Sequence, residues 1–571
     1  MTNALLQKFT AQLGNDYLNM IDDLRSYIID NKTEQSEFVV IPMEAGTGKS
    51  IQTDIIIGEH IRRGGGRSFL LVKRFNADVE ESVTRINGCV GVQLIPAAIG
   101  ITSENWAKHK DQMGGLLEYQ VITITHERYK RLCMDSHIMN YFSSARHTII
   151  IDEGLEMSIY TFSSSDYNYA MDIFPREMHK TIIDVCQGLF NEIERCKSLQ
   201  RGNCIIKCKP QPINEWVLLQ FEREVEANLD NIQSNKESGR KFAYMISVLY
   251  SNDSFYSNDR ITGYDRNFKR IGLSNNIILD ANGNIDNQYH YDSNIRVDKQ
   301  TPIVDHSNWT LRHVKFNTSA SNISKSKNYF DEICKLIAEY KSNESKTLVI
   351  TQNKHELALK SKLAEYELSD VDVAHFGAII GKNDWREHNQ VWIVANPLIP
   401  MEVYPIRWAI ATGQDIPEDF IQMVYRDKKF RFVNDDYESM RRGCVIGELY
   451  QGIKRVNRDN NQSAEVFIVH SDEDVIRDLE HCMRNIKFGE IIELDNVTTK
   501  GKSTKQTIGK RIADYLVAHP GKNPKHEICE ALGIKPNHLS KYLKDAHIRR
   551  LCDAGILHIS HAHIEVIPVN A

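Results

Sequence analysis

The sequence predicts an α/β protein: parallel sheets covered on both faces by helices, a large insertion, and a small separate domain at the C-terminal end. Three observations predict it. Continuous apolar runs that end in polar residues, namely EFVVIP, SFLLVKRF, VITITHERY and HTIIIDEG, alternate with helical stretches. Strands apolar along their whole length are those buried on both faces of a parallel sheet. The first run feeds a glycine turn and then a helical pattern, PMEAGTGKSIQTDIIIGEHI, and the rhythm stops over 156–310 before resuming with HVKFNTSAS, KTLVITQN and QVWIVANP.

Taken in order, residues 1–35 read as one or two surface helices, with Leu6, Phe9, Leu13, Tyr17, Met20 and Leu24 at helical spacing on the apolar side. With the strand-and-helix units that follow, they make a first lobe over 1–155. Residues 156–310 are rich in Asn, Asp, Ser and Tyr and are expected to form an inserted accessory domain with long loops. Residues 311–325 are expected to return to the first lobe and 326–499 to form a second lobe. KGKSTKQ is a polar linker, and 500–571 form the last domain. There, 507–519 is an amphipathic helix, HEICEALGI a short helix turning at Gly533, and Pro536 opens a longer one. Leu532, Ile534, Leu539, Tyr542 and Leu543 suit its core, and ILHIS and HIEVI suit a two-stranded wing. The segment looks like a winged helix–turn–helix domain. Its candidate DNA-facing residues are Lys535, Asn537, His538, Lys541, Lys544 and Arg549. Such domains also dock proteins, and both roles stay open.

A chain of 571 residues has room for three or four domains. Its 26% charged and 41% hydrophobic residues exclude a mainly disordered or fibrous chain. Lys and Arg number 70 against 76 Asp and Glu, a net charge of −6, which excludes a uniformly basic nucleic-acid coat. The balance is uneven: residues 500–571 hold 12 Lys and Arg against 6 Asp and Glu, net +6, leaving −12 on the rest. No run of 18 apolar residues exists, so no membrane span is expected. The first residues mix acids and amides into the apolar rhythm, unlike a secretory leader. Eleven cysteines are too sparse for a disulfide scaffold, so a reduced, cytoplasmic setting is expected.

The chemistry concentrates in three places. Gly46-Thr47-Gly48-Lys49-Ser50, between a strand and a helix, would aim backbone N–H groups at a phosphate chain. Lys49 would reach the outer phosphates and Ser50 would offer its hydroxyl to Mg²⁺; Met43 stands where the full phosphate-loop pattern wants glycine. Asp152 and Glu153 close the fourth predicted strand about 100 residues later, with two strands between, and would serve the metal and the attacking water respectively. In QGIKRVNRD, Arg455 and Arg458 are three apart, hence on one helical face, and with Gln451 would clamp the phosphates from across a cleft. Arg458 is the favoured arginine finger.

Together these residues resemble superfamily 2 helicases of the DEAD/DEAH-like kind. EAGTGKS resembles motif I of the DinG-like iron–sulfur helicase group, Asp152-Glu153-Gly154 motif II, Thr318-Ser319-Ala320-Ser321 motif III, and QGIKRVNR motif VI. The resemblance covers roughly 36–155 and 311–475. It implies two RecA-like P-loop lobes with ATP and Mg²⁺ in the cleft and single-stranded or forked DNA across both. Nucleic-acid contacts would then fall on Lys73 and Arg74, on Thr123, Thr125 and His126, on Thr351 and Gln352, and on Gly381, Asn383 and Asp384. Only Cys89 and Cys133 lie between motifs I and II, so the group's iron–sulfur domain is absent there. Cys186, Cys196, Cys204 and Cys208 follow motif II instead. Four thiolates suit Zn²⁺ or an iron–sulfur centre, but no close C-x2-C knuckle is present and ordinary core cysteines fit as well. The insertion suits a strand-separating wedge, a DNA clamp or a partner-binding domain. The implied activity is an ATP-dependent DNA helicase or translocase. Its alternatives are an ATP-gated DNA-binding subunit of a replication or defence complex without unwinding activity, and an RNA helicase.

Overall fold

The computed structural model describes residues 2–30, 37–92, 95–110, 113–144, 146–155, 158–200, 203–232, 236–266, 268–342, 344–397, 399–426 and 429–494. Beyond these it describes 497, 512–513, 515–516, 519–543, 548, 551–552, 557–560 and 562–566. The chain divides into two compact units, Met1–Ala320 with Ile333–Leu494, and Ser321–Glu332 with Asp495–Ala571.

Seven parallel strands make the first sheet of the large unit, in the order Ile295–Val297, Phe38–Ile41, Asn275–Leu279, Thr148–Asp152, Phe69–Lys73, Val121–Thr125, Ala98–Ile101. Alternate residues of its strands enter two cores. Val39, Ile41, Phe69, Leu71 and Ile150 pack with Tyr17, Leu24 and Ile28 of the N-terminal helices, while Val40, Leu70, Val72, Ile149 and Ile151 pack with Tyr129 and Phe142. That two-sided burial is why the strands read as unbroken apolar runs.

Two expectations are corrected here. Ala98–Ile101 is a further strand, so three rather than two separate the glycine loop at 46–50 from the strand that ends in Asp152; its AIGI is short and carries a glycine. The sheet also resumes inside the stretch assigned to the insertion, through Asn275–Leu279 and Ile295–Val297. Asparagines disguised the first of these. Asn275 and Asn276 are fully buried, yet each side-chain amide is satisfied, by Tyr27 O at 2.8 Å and Glu37 O at 3.2 Å.

The second sheet runs Asp372–His375, Thr347–Thr351, Gln390–Ile393, Ala464–His470, Trp309–Lys315, with Lys487–Phe488 and Ile492–Glu493 at its edge, again all parallel. Trp309–Lys315 pairs with Ala464–His470 over its whole length. The strand through residues 311–315 therefore belongs to the second sheet and does not return to the first, while Ser321–Glu332 group with the small unit. Thr318 sits buried beyond this strand, its hydroxyl on Asn396 at 2.8 Å, so the motif III assignment at 318–321 fails on lobe membership.

A third, antiparallel sheet runs Lys429–Phe432, Phe420–Arg426, Cys204–Lys207, Ser254–Ser257, Arg260–Tyr264, Ile159–Phe162. The accessory sheet thus draws on two separate segments, 159–264 and 420–432. One face packs Ile205, Phe255 and Tyr264 against Tyr404, Trp408, Tyr437 and Met440. The other is covered by helices His179–Leu199, Glu215–Ala227 and Lys236–Ser251 through Leu189, Phe221, Phe242 and Ile246.

In the small unit, Lys525–Leu532 ends at Gly533 in the left-handed region and Pro536–Tyr542 follows with proline in its first turn. Its sheet has three antiparallel strands rather than two, because Gly521–Pro524 joins Leu557–Ile559 and His563–Val566. Among the described residues no helix is long and apolar enough to cross a membrane.

Candidate functional site

The loop between Phe38–Ile41 and helix Lys49–Arg62 is shaped by two glycines in the left-handed region, Gly46 at φ 92° and Gly48 at φ 76°. A Cβ on Gly48 would also lie 3.1 Å from the Phe9 ring. Met43, which departs from the usual pattern, is 1% exposed and belongs to the core beneath the loop. Thr47 donates its hydroxyl to Glu44 O at 2.7 Å, and its carbonyl accepts Tyr17 OH at 3.0 Å. The N-terminal helices therefore brace the loop. Lys49 and Ser50 open the helix whose free N–H groups and dipole attract an anion.

Asp152 ends the adjacent part of the same sheet. Its Oδ2 accepts Lys73 Nζ at 3.0 Å, and Lys73 is also 3.6 Å from Asp54. Burial alone would raise the Asp152 carboxyl, but the Lys73 and Lys49 cations and the Ser50 hydroxyl hold it below the ordinary carboxylate range. Its Oδ1 is buried and has no hydrogen-bond partner. Ser50 with an ionised carboxylate oxygen left open is a donor set that fits Mg²⁺. Glu153 adopts φ 69°, a strained conformation for a side-chain-bearing residue, with its N–H on Leu279 O at 2.8 Å and its carboxylate 3.5 Å from Arg74 Nη1. The next residue must be small: a Cβ at Gly154 would come within 2.6 Å of both Asp280 Oδ2 and Tyr289 OH.

The arginines arrive from the second sheet, but not on a helix. Helix Asp435–Ile453 stops before them, and Asn457 at φ 43° turns the chain. Arg455 is buried, donating Nη2 to Gln451 Oε1 at 3.0 Å and Nη1 to Lys382 O at 3.4 Å; burial pushes its guanidinium down to about 10. Arg458 bonds Asn383 Oδ1. A cavity of about 310 Å³ collects Gly46, Gly48, Lys49 and Ser50 with Asp152, Glu153, Arg455 and Arg458. Gln451 lines a smaller neighbouring cavity with Glu153.

Most of the residues expected to contact nucleic acid are buried or line the cavity. Lys73 is 3% exposed and lines the 310 Å³ cavity, as do Arg74, Gly381 and Asn383. Thr123, His126, Thr351 and Gln352 are buried; His126 Nε2 meets Asp152 O at 2.9 Å, and Gln352 donates to Asn396 O at 2.9 Å. Thr125 caps helix His126–Met134 by accepting Arg128 N–H at 3.2 Å. Asp384 is exposed. Strand ends inside a covered sheet explain the burial of Lys73, Thr123, Thr351 and Gln352, whereas Gly381, Asn383 and Asp384 lie exposed in the loop between Asp372–His375 and Gln390–Ile393. In the small unit Lys535, His538 and Lys541 are exposed, whereas the Asn537 side chain, Lys544 and Arg549 fall outside the described residues. The four cysteines do not assemble as a set: Cys196 and Cys208 converge with Glu192, without Cys186 or Cys204.

Several residues at the site carried no motif. Asp280, Ala281 and Asn282 follow strand Asn275–Leu279, whose Leu279 pairs with Asp152, and a Cβ at Gly447 of helix Asp435–Ile453 would lie 3.3 Å from Asn282. This turn therefore touches the helix that leads to the arginines. An apolar run ending in Asp, IILDAN, was the available signal. Glu44 accepts the N–H groups of Ile303 and Val304 at 2.7 and 2.9 Å. Lys454 bonds His306 Nε2 at 3.0 Å, and burial lowers it to about 8. Lys8 pairs with Asp459 at 3.3 Å, so the first helix reaches the segment that carries Arg458.

No family model matches the chain, and a search of curated proteins finds no match. Among solved structures the chain is similar to S. tokodaii Xpd4, at 13% identity and TM-score 0.48, over 85% of this chain and 100% of that one. It is also similar to S. cerevisiae Dbp5 bound to RNA and ADP BeF3, at 10% identity and TM-score 0.37, over 85% and 96%. A third likeness is to the DUF1998 helicase MrfA bound to DNA and AMPPNP, at 10% identity and TM-score 0.36, over 100% of this chain and 62% of that one.

Proposed function

We propose that the chain is an ATP-driven nucleic-acid motor of the superfamily 2 type, acting on DNA as a helicase or translocase. One observation carries the proposal: a phosphate loop and an acid pair from one parallel sheet share a single cavity with two arginines from another. The loop N–H groups and Lys49 hold the phosphates. Mg²⁺ on Ser50 and Asp152 would supply charge neutralisation at the outer phosphates. Glu153 orients the attacking water and takes its proton. Arg455 and Arg458 stabilise the charge that develops on the transferred phosphoryl group, so hydrolysis depends on both sheets being in place. The turn at Asp280–Asn282, between the acid pair and helix Asp435–Ile453, is the element suited to pass that closure on to a bound strand.

Glu153→Gln tests the site. Hydrolysis should fall at least ~100-fold, the usual worth of a general base, while ATP still binds. Normal turnover in that variant would remove Glu153 from the role assigned to it. The substrate is tested by stimulation of the ATPase with single-stranded DNA and RNA of equal length, and by strand displacement on forked duplexes. Greater stimulation by RNA would overturn the DNA assignment, and stimulation without displacement would leave a translocase or an ATP-gated switch. We further propose that the small unit is a winged helix–turn–helix and presents Lys535, His538 and Lys541 to DNA.

A further inference from the structure

We propose that the accessory domain holds a zinc-class divalent cation between Glu192, Cys196 and Cys208. Helix His179–Leu199 places Glu192 and Cys196 one turn apart on one face, and Cys208 immediately follows strand Cys204–Lys207. The carboxylate oxygen and the two sulfurs lie within 4.8 Å of one another, and the residues are only 3%, 0% and 6% exposed. Two sulfurs and a carboxylate form a donor set that zinc takes in preference to magnesium or calcium.

Charge closes on the same geometry. Two thiolates and a carboxylate carry three negative charges in a buried place. A divalent cation offsets two, and Arg195 offsets the third by gripping Glu192 through Nε at 2.7 Å and Nη2 at 2.6 Å. Arg195 Nη2 also lies 3.6 Å from Cys196 Sγ, and Lys209 N–H donates to Glu192 Oε1. Donors of this kind orient ligands and hold them against the metal. A fourth oxygen is at hand. Ser254 is 1% exposed, its carbonyl accepts Cys208 N–H at 2.7 Å, and its buried hydroxyl lies against the Cys208 thiol.

Binding forms two metal–sulfur bonds and one metal–oxygen bond and releases both thiol protons to solvent. The Cys196 thiol now directed at Glu192 Oε1, at 3.5 Å, gives up one of them. The ion would staple the helix to the sheet across the 200–203 connection. Cys186 and Cys204 share the surrounding core but not the ligand set, so they serve as controls.

The test is metal content of the full chain purified after expression with added zinc. About one zinc per chain is expected, falling at least ~10-fold in Cys196→Ser and Cys208→Ser and unchanged in Cys186→Ser and Cys204→Ser. Should the variants fail to fold, wild type alone decides the matter. Cobalt bound in place of zinc should show thiolate-to-metal charge-transfer absorption that stoichiometric zinc abolishes. Zinc-free wild type that takes up neither ion overturns the proposal. So does full zinc retention in Cys208→Ser, or a Cys196–Cys208 disulfide in the protein isolated under reducing conditions.

Discussion

Single residues at the cavity are constrained in ways that substitutions expose. Gly154 has the Asp280 carboxylate and the Tyr289 hydroxyl where a Cβ would go, and those two are bonded to each other at 2.6 Å. Gly154→Ala must push that pair aside or shift Glu153, at an overpacking cost of about 1–3 kcal/mol. A lowered unfolding midpoint together with a slower ATPase is expected; an unchanged midpoint would mean the turn has room it does not show. His306 and His470 set a pH limit. Burial, with Lys454 beside it, lowers His306 to about 3, and burial lowers His470 to about 4. Unfolded histidines titrate near 6.5, so the unfolded chain binds more protons between there and the folded values. Stability is therefore full above about pH 6.5 and falls as pH drops, by up to about 1.4 kcal/mol per pH unit for each histidine. Melting temperatures between pH 7.5 and 5.5 should show this loss, and His306→Gln should lessen it, leaving the share of His470. An equal slope in that variant would show that His306 is not the group responsible.

At the scale of elements, legibility followed burial. Strands buried on both faces announced themselves, and with them came the glycine loop at 46–50, the acid pair at a strand end and the arginine segment that share a cavity. What stayed hidden were elements whose polar residues are satisfied inside the protein. Asn275 and Asn276 made a central strand read as a loop, and Lys73 read as a strand-end contact although it is sealed against Asp152. No periodicity marks such groups, because their partners are distant in sequence. The accessory sheet is another case. Its joint is Phe420–Arg426 on Cys204–Lys207, with Ile421 opposite Ile205, two segments some two hundred residues apart. Ile421 is 2% exposed and packs in the core shared by both segments. Ile421→Ala should cost ~2–4 kcal/mol. Because the strands pair, amide exchange should quicken together over 204–207 and 420–426. Faster exchange confined to 420–426 would show that the joint does not act as one unit.

For the whole molecule, charge and function separate along the chain. Residues 1–499 carry −12 and hold every group that lines the cavity between the acid pair and the arginines, while 500–571 carry +6. Affinity for a polyanion grows with the phosphates a protein neutralises, and its salt dependence steepens with the same number. An acidic body therefore gains little from general attraction, and the basic unit should supply most of the salt-sensitive part of binding. The core of Ile528, Leu539, Leu557 and Ile564 lies wholly within 500–571, so removing that segment takes the core away entire and leaves Ser321–Glu332, the rest of the unit, in the chain. The shortened chain should keep its basal ATPase, since no residue of the cavity is lost. Its affinity for DNA should fall, and the slope of log affinity against log salt should shrink by roughly 2–4 for two to four lost phosphate contacts. Lys535→Ala with Lys541→Ala in the full chain should reproduce about two of those units without the deletion. If the deletion leaves the slope unchanged, strand binding belongs to the motor body alone. The positive excess would then serve protein docking, the other role open to a domain of this shape.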